Sequence, residues 1–138
     1  MKMVSNEIRN LARQIFKINP HIEHLGLIDL EGHVLLDQSA AAPEPIEPDE
    51  QRMMFYYQVG LRRSRREHFN QAYGQTNYIH IVREKMQQLI LYLPMITIYL
   101  TIDKTLSPDG IANIAGKTHE LDADLVNEAI KSLFYLKQ

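Results

Sequence analysis

The sequence predicts an α+β fold in which helices cover both faces of a five-stranded antiparallel sheet. Three observations lead to this class. Amphipathic and alternating segments follow the order helix, two strands, helix, three strands and helices along 138 residues. Neighbouring strand segments are joined by connections that fit hairpins, which pair strands antiparallel. Each helical segment has an apolar stripe that it must bury on the sheet. The length predicts a single domain over residues 1–138, in which residues 117–138 form a C-terminal helical extension.

The N-terminal segment predicts one helix followed by a hairpin. From Ser5 to Ile18 apolar residues recur at helical spacing, with Ser5 as the N-cap and Pro20 closing the segment. Two short apolar runs follow in HIEHLGLIDLEGHVLLDQ, and they meet at Glu31-Gly32. Because glycine reaches the positive φ that a tight turn requires, we expect two antiparallel strands here.

A proline-rich loop separates this hairpin from a long helix. In SAAAPEPIEPDE three prolines, Pro43, Pro45 and Pro48, each remove a backbone donor and favour extended backbone in the residue before. Asp49 then caps a helix that we expect to run to about Gln71 and to end before glycine 74.

Three strands and two helical segments complete the order. The segments TNYIHIVRE, QLILYL and ITIYLTI predict strands, and the junction Leu93–Ile96 is too short for anything but a hairpin. In ITIYLTI, isoleucine and leucine alternate with threonine and tyrosine, so one face is expected to be buried. Ser107 and Pro108 predict a capped helix start, and Gly116 is expected to interrupt that helix. A last apolar stripe consists of Leu121, Leu125, Ala129, Leu133 and Leu136.

This order, with GLIDLEGHVLLDQ as the first hairpin and QVGLRRSRREHF on the central helix, resembles the roadblock type of dynein light-chain domain. That domain belongs to the wider profilin-like and longin-like group, and the chain is more narrowly similar to uncharacterised archaeal roadblock-like proteins. The resemblance covers roughly Ile8 to Ile114. It implies a roadblock/profilin-like sheet, homodimerisation through the central helix and the strand after it, and, in some relatives, service as a platform or regulator for small GTPases.

The central helix has two apolar faces. At about 100° per residue, one broad stripe is expected to meet the sheet, and it consists of Met53, Met54, Tyr57, Leu61, His68 and Phe69. Phe55, Tyr56 and Val59 point roughly the opposite way, where a monomer would leave them in water. Arg63 continues this second face. We therefore predict a dimer interface at Phe55, Tyr56, Val59 and Arg63.

The stretch LRRSRRE places four arginines at the end of this helix. Arg62, Arg63 and Arg66 continue the predicted interface face, while Arg65 falls near the sheet-facing stripe. One interpretation is a solvated helix end, where the helix dipole favours cations. The other is an interface, since arginine is enriched there, with Arg62, Arg63 and Arg66 binding an acidic partner surface. The resemblance suggests a small GTPase as that partner. Four charges offer only a small phosphate footprint, which disfavours nucleic acid and anionic lipid.

Composition narrows the function classes further. The formal net charge is −2 and the isoelectric point is near 6.3, whereas a dedicated nucleic-acid-binding domain is strongly basic. The chain has no cysteine, which excludes disulfides, thiol catalysis and cysteine-ligated zinc and fits a reducing cytoplasm. The longest apolar run, residues 89–96, contains a proline and is too short to cross a bilayer, so we expect no membrane insertion.

No residue pattern predicts catalysis, a cofactor or a metal site. His21 and His24 would point to opposite faces of a strand, and the other histidines show no ligand spacing. Asp29 and Glu31 fit a turn better than an acid–base pair. The sequence therefore predicts a non-enzymatic interaction module that acts as a homodimeric scaffold or regulator. The alternative is a small-ligand sensor with a pocket between sheet and helix, since such sheets can enclose one.

Overall fold

The structure, a computed structural model, describes residues 4–40 and 49–136. Within these residues, helices and strands follow the predicted order. The elements are α1 Asn6–Phe16, β1 Ile22–Ile28, β2 Val34–Ser39, α2 Asp49–Glu67, α3 Asn70–Tyr73, β3 Ile79–Val82, β4 Gln87–Leu93, β5 Ile96–Ile102, α4 Pro108–His119 and α5 Ala123–Leu136. The loop predicted around Pro43, Pro45 and Pro48 lies outside the described residues.

The strands form one antiparallel sheet in the order β2-β1-β5-β4-β3. The two tight turns have the positive φ angles that such turns require, 88° at Gly32 and 63° at Met95. The predicted α+β class and the five-stranded antiparallel sheet are therefore confirmed.

Two apolar layers cover the sheet. The larger layer packs α1, α4 and α5 against one face, and Ile8, Leu11 and Ile114 belong to it. The smaller layer lies on the opposite face under α2 and includes Tyr56 and Tyr99. The helices on both faces of the sheet agree with the prediction. Successive side chains of β5 point alternately into the two layers, which explains the period-2 pattern of its sequence.

The capping signals at two helix starts are also confirmed. The Ser5 hydroxyl accepts a hydrogen bond from the backbone N–H of Ile8, and the Ser107 hydroxyl accepts one from that of Gly110. Pro108 follows at the first helical position, where its missing N–H has no cost.

Three predicted boundaries are wrong. The central helix ends at Glu67 rather than near Gln71, because the Phe69 N–H bonds to the carbonyl three residues back and tightens the turn before α3. Gly116 does not interrupt α4, since one glycine costs only about 1 kcal/mol in a helix that packs well elsewhere. Strand β3 starts at Ile79, three residues later than expected, and the Asn77 carbonyl before it accepts a hydrogen bond from His119 Nε2.

Candidate functional site on the central helix

The face of α2 that packs on the sheet, which we call its inner face, is connected to the first hairpin by a network of polar side chains. Arg52 Nη2 donates to Asp37 Oδ2 over 2.8 Å, and the Tyr56 hydroxyl donates to Asp37 Oδ1 over 2.8 Å. His24 Nε2 lies 2.5 Å from Asp37 Oδ1, and its Nδ1 lies 2.9 Å from Ser39 Oγ. One carboxylate on β2 thus joins β1, β2 and α2 through charge-assisted hydrogen bonds.

These contacts fix the protonation states of the network. Burial alone would raise the pKa of the Asp37 carboxyl, but the hydrogen bonds from His24, Arg52 and Tyr56 outweigh it and hold that pKa well below its usual range. Burial, and then the negative charge and hydrogen bond of Asp37, raises the pKa of Tyr56 well above its usual value. At neutral pH the carboxylate is therefore ionised, and Tyr56 remains a hydrogen-bond donor.

Ser39, His24 and Asp37 form a chain of contacts that resembles a hydrolase triad and that was not predicted from the sequence. The signal was available, because the β1–β2 register places His24 opposite Ser39, with Asp37 two residues away on the same face. However, the Asp37 carboxylate is already paired with Arg52, and His24 is only 4% exposed. A general base must reach a substrate proton, so we interpret the group as a structural tie between elements.

Near the C-terminal end of α2, Arg63 connects the helix to the β4–β5 hairpin by hydrogen bonds. Its Nη1 donates to the Ile96 carbonyl over 2.8 Å, and its Nη2 donates to the Leu93 carbonyl over 2.7 Å. Its Nε donates to Glu67 Oε1 over 2.6 Å, and the guanidinium lies 4.7 Å from the centre of the Tyr92 ring. Arg63 is 6% exposed and holds the tight turn in place.

The predicted rotation of the central helix is therefore wrong. Tyr56, Val59 and Arg63 are buried against the sheet, where they have no surface to offer a second subunit. Phe55 is half-buried, and its ring packs edge-on against Tyr99. Apolar periodicity failed because the inner face is held by polar contacts of arginine and tyrosine, which hydrophobicity alone assigns to solvent. Whether α2 forms a subunit interface stays a prediction.

The outer face of α2 carries the side chains that were expected to meet the sheet. Met54, Tyr57 and Leu61 are 60%, 47% and 46% exposed. Their spacing of three and four residues places them on one stripe of the helix. We call these three residues the outer apolar face. Large apolar side chains grouped on one exposed helix face are typical of an interaction surface.

The arginine cluster divides between the two faces. Arg63 is buried in the sheet-facing contacts, so its predicted role in partner binding is wrong. Arg66 is half-buried and donates to the Tyr92 hydroxyl over 3.0 Å. Arg62 and Arg65 are exposed, and neither has a hydrogen-bond or ion-pair partner within the part of the chain that the structure describes. The cations open to solvent therefore lie beside the outer apolar face.

Two of the acidic residues, Asp29 and Glu31, lie in the turn between β1 and β2. Asp29 Oδ1 accepts hydrogen bonds from the backbone N–H groups of Glu31 and His33, which confirms its prediction as a turn residue. The carboxylates of Asp29 and Glu31 and the imidazole of His33 also bring potential ligand atoms within 4.8 Å of one another. Asp29 Oδ2 lies 3.1 Å from His33 Nδ1, so these two side chains are hydrogen-bonded to each other.

Comparisons with known proteins identify the fold. A structure described as MglB with a tetrameric arrangement matches with a TM-score of 0.71 and 16% identity, over 92% of this chain and 95% of that chain. The gliding protein MglB from Thermus thermophilus matches with a TM-score of 0.71 and 15% identity, over 91% and 95% of the two chains.

A roadblock/LC7 domain from Streptomyces avermitilis matches with a TM-score of 0.60 and 10% identity, over 90% of this chain and 95% of that chain. No sequence profile of a known family matches the chain, and no curated protein sequence matches it. The similarities confirm a roadblock-type fold, whereas the predicted resemblance to archaeal roadblock-like proteins stays a prediction.

Proposed function

We propose that this protein is a non-enzymatic interaction module that acts as a homodimeric scaffold or regulator. The observation that carries the proposal is the outer apolar face of α2. Met54, Tyr57 and Leu61 expose large side chains on a helix whose inner face is already fully engaged with the sheet. Covering them would remove apolar surface from water, and a second copy of the same face provides matching chemistry.

Strand β3 offers a second element to the same assembly. It lies at an edge of the sheet and is four residues long, and Val82 is among its exposed side chains. An edge strand has unpaired backbone groups that pair readily with another strand. The resemblance implies dimerisation through the central helix and the strand after it, and α2 and β3 are these elements.

The regulatory role rests on the arginines and on the fold. Arg62, Arg65 and Arg66 place permanent charge at the end of α2, where it can steer an acidic partner surface toward the protein. The resemblance makes a small GTPase the partner to test first. Similarity to MglB structures supports a roadblock-type scaffold for this role. Every helix in residues 4–40 and 49–136 is too short or too polar to span a bilayer.

Sedimentation velocity tests the self-association. We expect the parent protein to sediment as a dimer at micromolar concentration and Leu61→Glu to sediment as a monomer, because the variant would bury an unpaired charge at the interface. The matched control is Phe134→Glu, which changes an exposed aromatic residue on α5, in the opposite layer. A monomeric parent protein, or equal effects of the two substitutions, would contradict the proposal.

The alternative of a small-ligand sensor is favoured by one observation, a polar cleft beside the C-terminal end of α2 with a volume of about 660 Å³. This volume lies within the usual range for ligand sites.

A further inference from the structure

The cleft is built by several elements. The end of α2, the segment that leads into β3, the β4–β5 turn and α4 each provide part of its wall. Its polar lining includes Arg63, Glu67, Asn70, Gln75, Thr76 and Asn77. Because the wall comes from four separate parts of the chain, the cleft is a property of the folded domain and not of one loop.

The permanent charges in the described part of the lining compensate each other. Among the lining residues that the structure describes, Arg63 and Glu67 are the only arginine, lysine, aspartate or glutamate residues, and they form an ion pair of 2.6 Å. His119 also lines the cleft, and its Nε2 donates to the Asn77 backbone carbonyl over 3.0 Å. An anionic ligand would need a cation that is free to pair with it. The cleft is therefore suited to a neutral molecule.

Four exposed or half-buried side chains of the lining can exchange water for a ligand at their hydrogen-bonding groups. The carboxamides of Asn70, Gln75 and Asn77 and the hydroxyl of Thr76 have no side-chain partner among the residues that the structure describes. Each carboxamide has donors and acceptors, and the hydroxyl provides both. The complementary ligand also donates and accepts at several neighbouring positions, as the hydroxyl groups of a sugar do.

Another part of the wall is apolar. Tyr92, Leu93 and Pro94 form it, at the end of β4 and in the following turn. A sugar ring has C–H groups as well as hydroxyl groups, so it can place an apolar face against such a wall while its hydroxyls reach polar side chains. Ligand sites commonly combine an apolar wall with a few placed polar groups.

We propose that this cleft binds a neutral, polyhydroxylated small molecule of the carbohydrate class. The inference goes beyond the interaction function and does not depend on dimerisation, because none of the outer apolar face lines the cleft.

Nuclear magnetic resonance titration with defined sugars tests the proposal. With ¹⁵N-labelled protein, we expect at least one of glucose, maltose and trehalose to shift the side-chain NH₂ signals of Asn70, Gln75 and Asn77. A few net hydrogen bonds support an affinity near the millimolar range, so titration to about 50 mM suffices. The side-chain signal of Gln71, an exposed amide outside the cleft, should not move. Glucuronate should bind more weakly than glucose, because its carboxylate finds no free cation.

Variants separate the cleft from general surface effects. Asn77→Ala should weaken sugar binding about tenfold, the effect of one lost hydrogen bond, and Gln71→Ala should leave it unchanged. Asn77→Ala keeps the His119 contact, which uses the backbone oxygen. The proposal is overturned if no sugar shifts these signals, if glucuronate or inorganic phosphate binds more tightly than the neutral sugars, if adenosine binds and sugars do not, or if Asn77→Ala has no effect. Sedimentation of the same samples reports dimerisation independently.

Discussion

Arg62 and Arg63 are neighbours of the same type, yet one is exposed and the other is buried under α2. The sequence contains no local signal for this difference, because consecutive residues on a helix differ by about 100° and only the rotation of the helix assigns them. Arg63 is buried because two backbone carbonyls of the β4–β5 turn and the carboxylate of Glu67 receive its N–H groups. At the residue scale, the available hydrogen-bond partners decide whether an arginine side chain is buried. Partners that are distant in the sequence cannot be predicted from the local stretch around the arginine.

Substituting each arginine by alanine tests this assignment. Arg63→Ala should lower the free energy of unfolding by about 3 kcal/mol, because it leaves buried carbonyl groups without donors. Arg62→Ala should change it by less than about 0.5 kcal/mol, as is usual for exposed positions. Urea denaturation measures both values, and equal effects would show that the helix is rotated differently.

The Asp37 network makes stability depend on pH. The unfolded carboxyl titrates near pH 3.9, and the folded carboxyl has a lower pKa, so between these values only the unfolded state binds the proton. This contribution is fully present above about pH 5 and is lost as pH falls through the folded pKa. Asp37→Asn should therefore be less stable than the parent by about 3 kcal/mol at neutral pH, because the hydrogen bonds that His24, Arg52 and Tyr56 make to Asp37 lose their charged acceptor, while Arg52 keeps its ion pair with Asp49.

The difference in the free energy of unfolding between the parent and Asp37→Asn should become smaller as pH falls below about 4. Denaturation curves across this range measure it. A gap of constant size would mean that the folded and unfolded carboxyl groups have the same pKa, which would contradict the network.

At the element scale, the order of helices and strands was predictable and the rotation of α2 was not. Alternation with period 2 in β5 and the serine caps at Ser5 and Ser107 are local signals. They predict structure correctly because they do not depend on contacts with distant parts of the chain. The inner face of α2 instead depends on contacts with the first hairpin. Gly60 allows this approach, because a Cβ there would lie 2.7 Å from the Gly32 Cα. The prediction exchanged the sheet-facing and outward faces of α2 for this reason, and whether α2 carries a binding site stays a prediction.

Two glycine substitutions separate helix propensity from packing. Gly116→Ala should stabilise the protein by about 1 kcal/mol, because the site is helical and a Cβ there meets nothing within 4 Å. Gly60→Ala should destabilise it by about 1–3 kcal/mol despite the same gain in propensity, because backbone must move to admit the Cβ. Thermal denaturation of the two variants gives the sign of each change. Stabilisation by Gly60→Ala would contradict the close approach of α2 to the hairpin.

At the scale of the whole molecule, the two sides of the sheet are covered unequally. Three helices pack on one face, whereas α2 covers the other with its outer apolar face still exposed. In a monomer Met54, Tyr57 and Leu61 would leave a grouped apolar surface in water. A second copy related by a two-fold axis would bring the same face against itself and complete the missing layer. Our central claim is that α2 forms this contact.

Cysteine cross-linking tests the central claim most directly, since the parent chain contains no cysteine. In a two-fold helix pair, residues at the crossing point face their own copies, and a disulfide forms when the Cα atoms lie within about 7 Å. We expect at least one of Met54→Cys, Tyr57→Cys and Leu61→Cys to give a covalent dimer under mild oxidation, and Phe134→Cys to remain monomeric on a non-reducing gel. If all three variants on α2 stay monomeric, or if Phe134→Cys cross-links as readily as they do, α2 is not the contact between subunits.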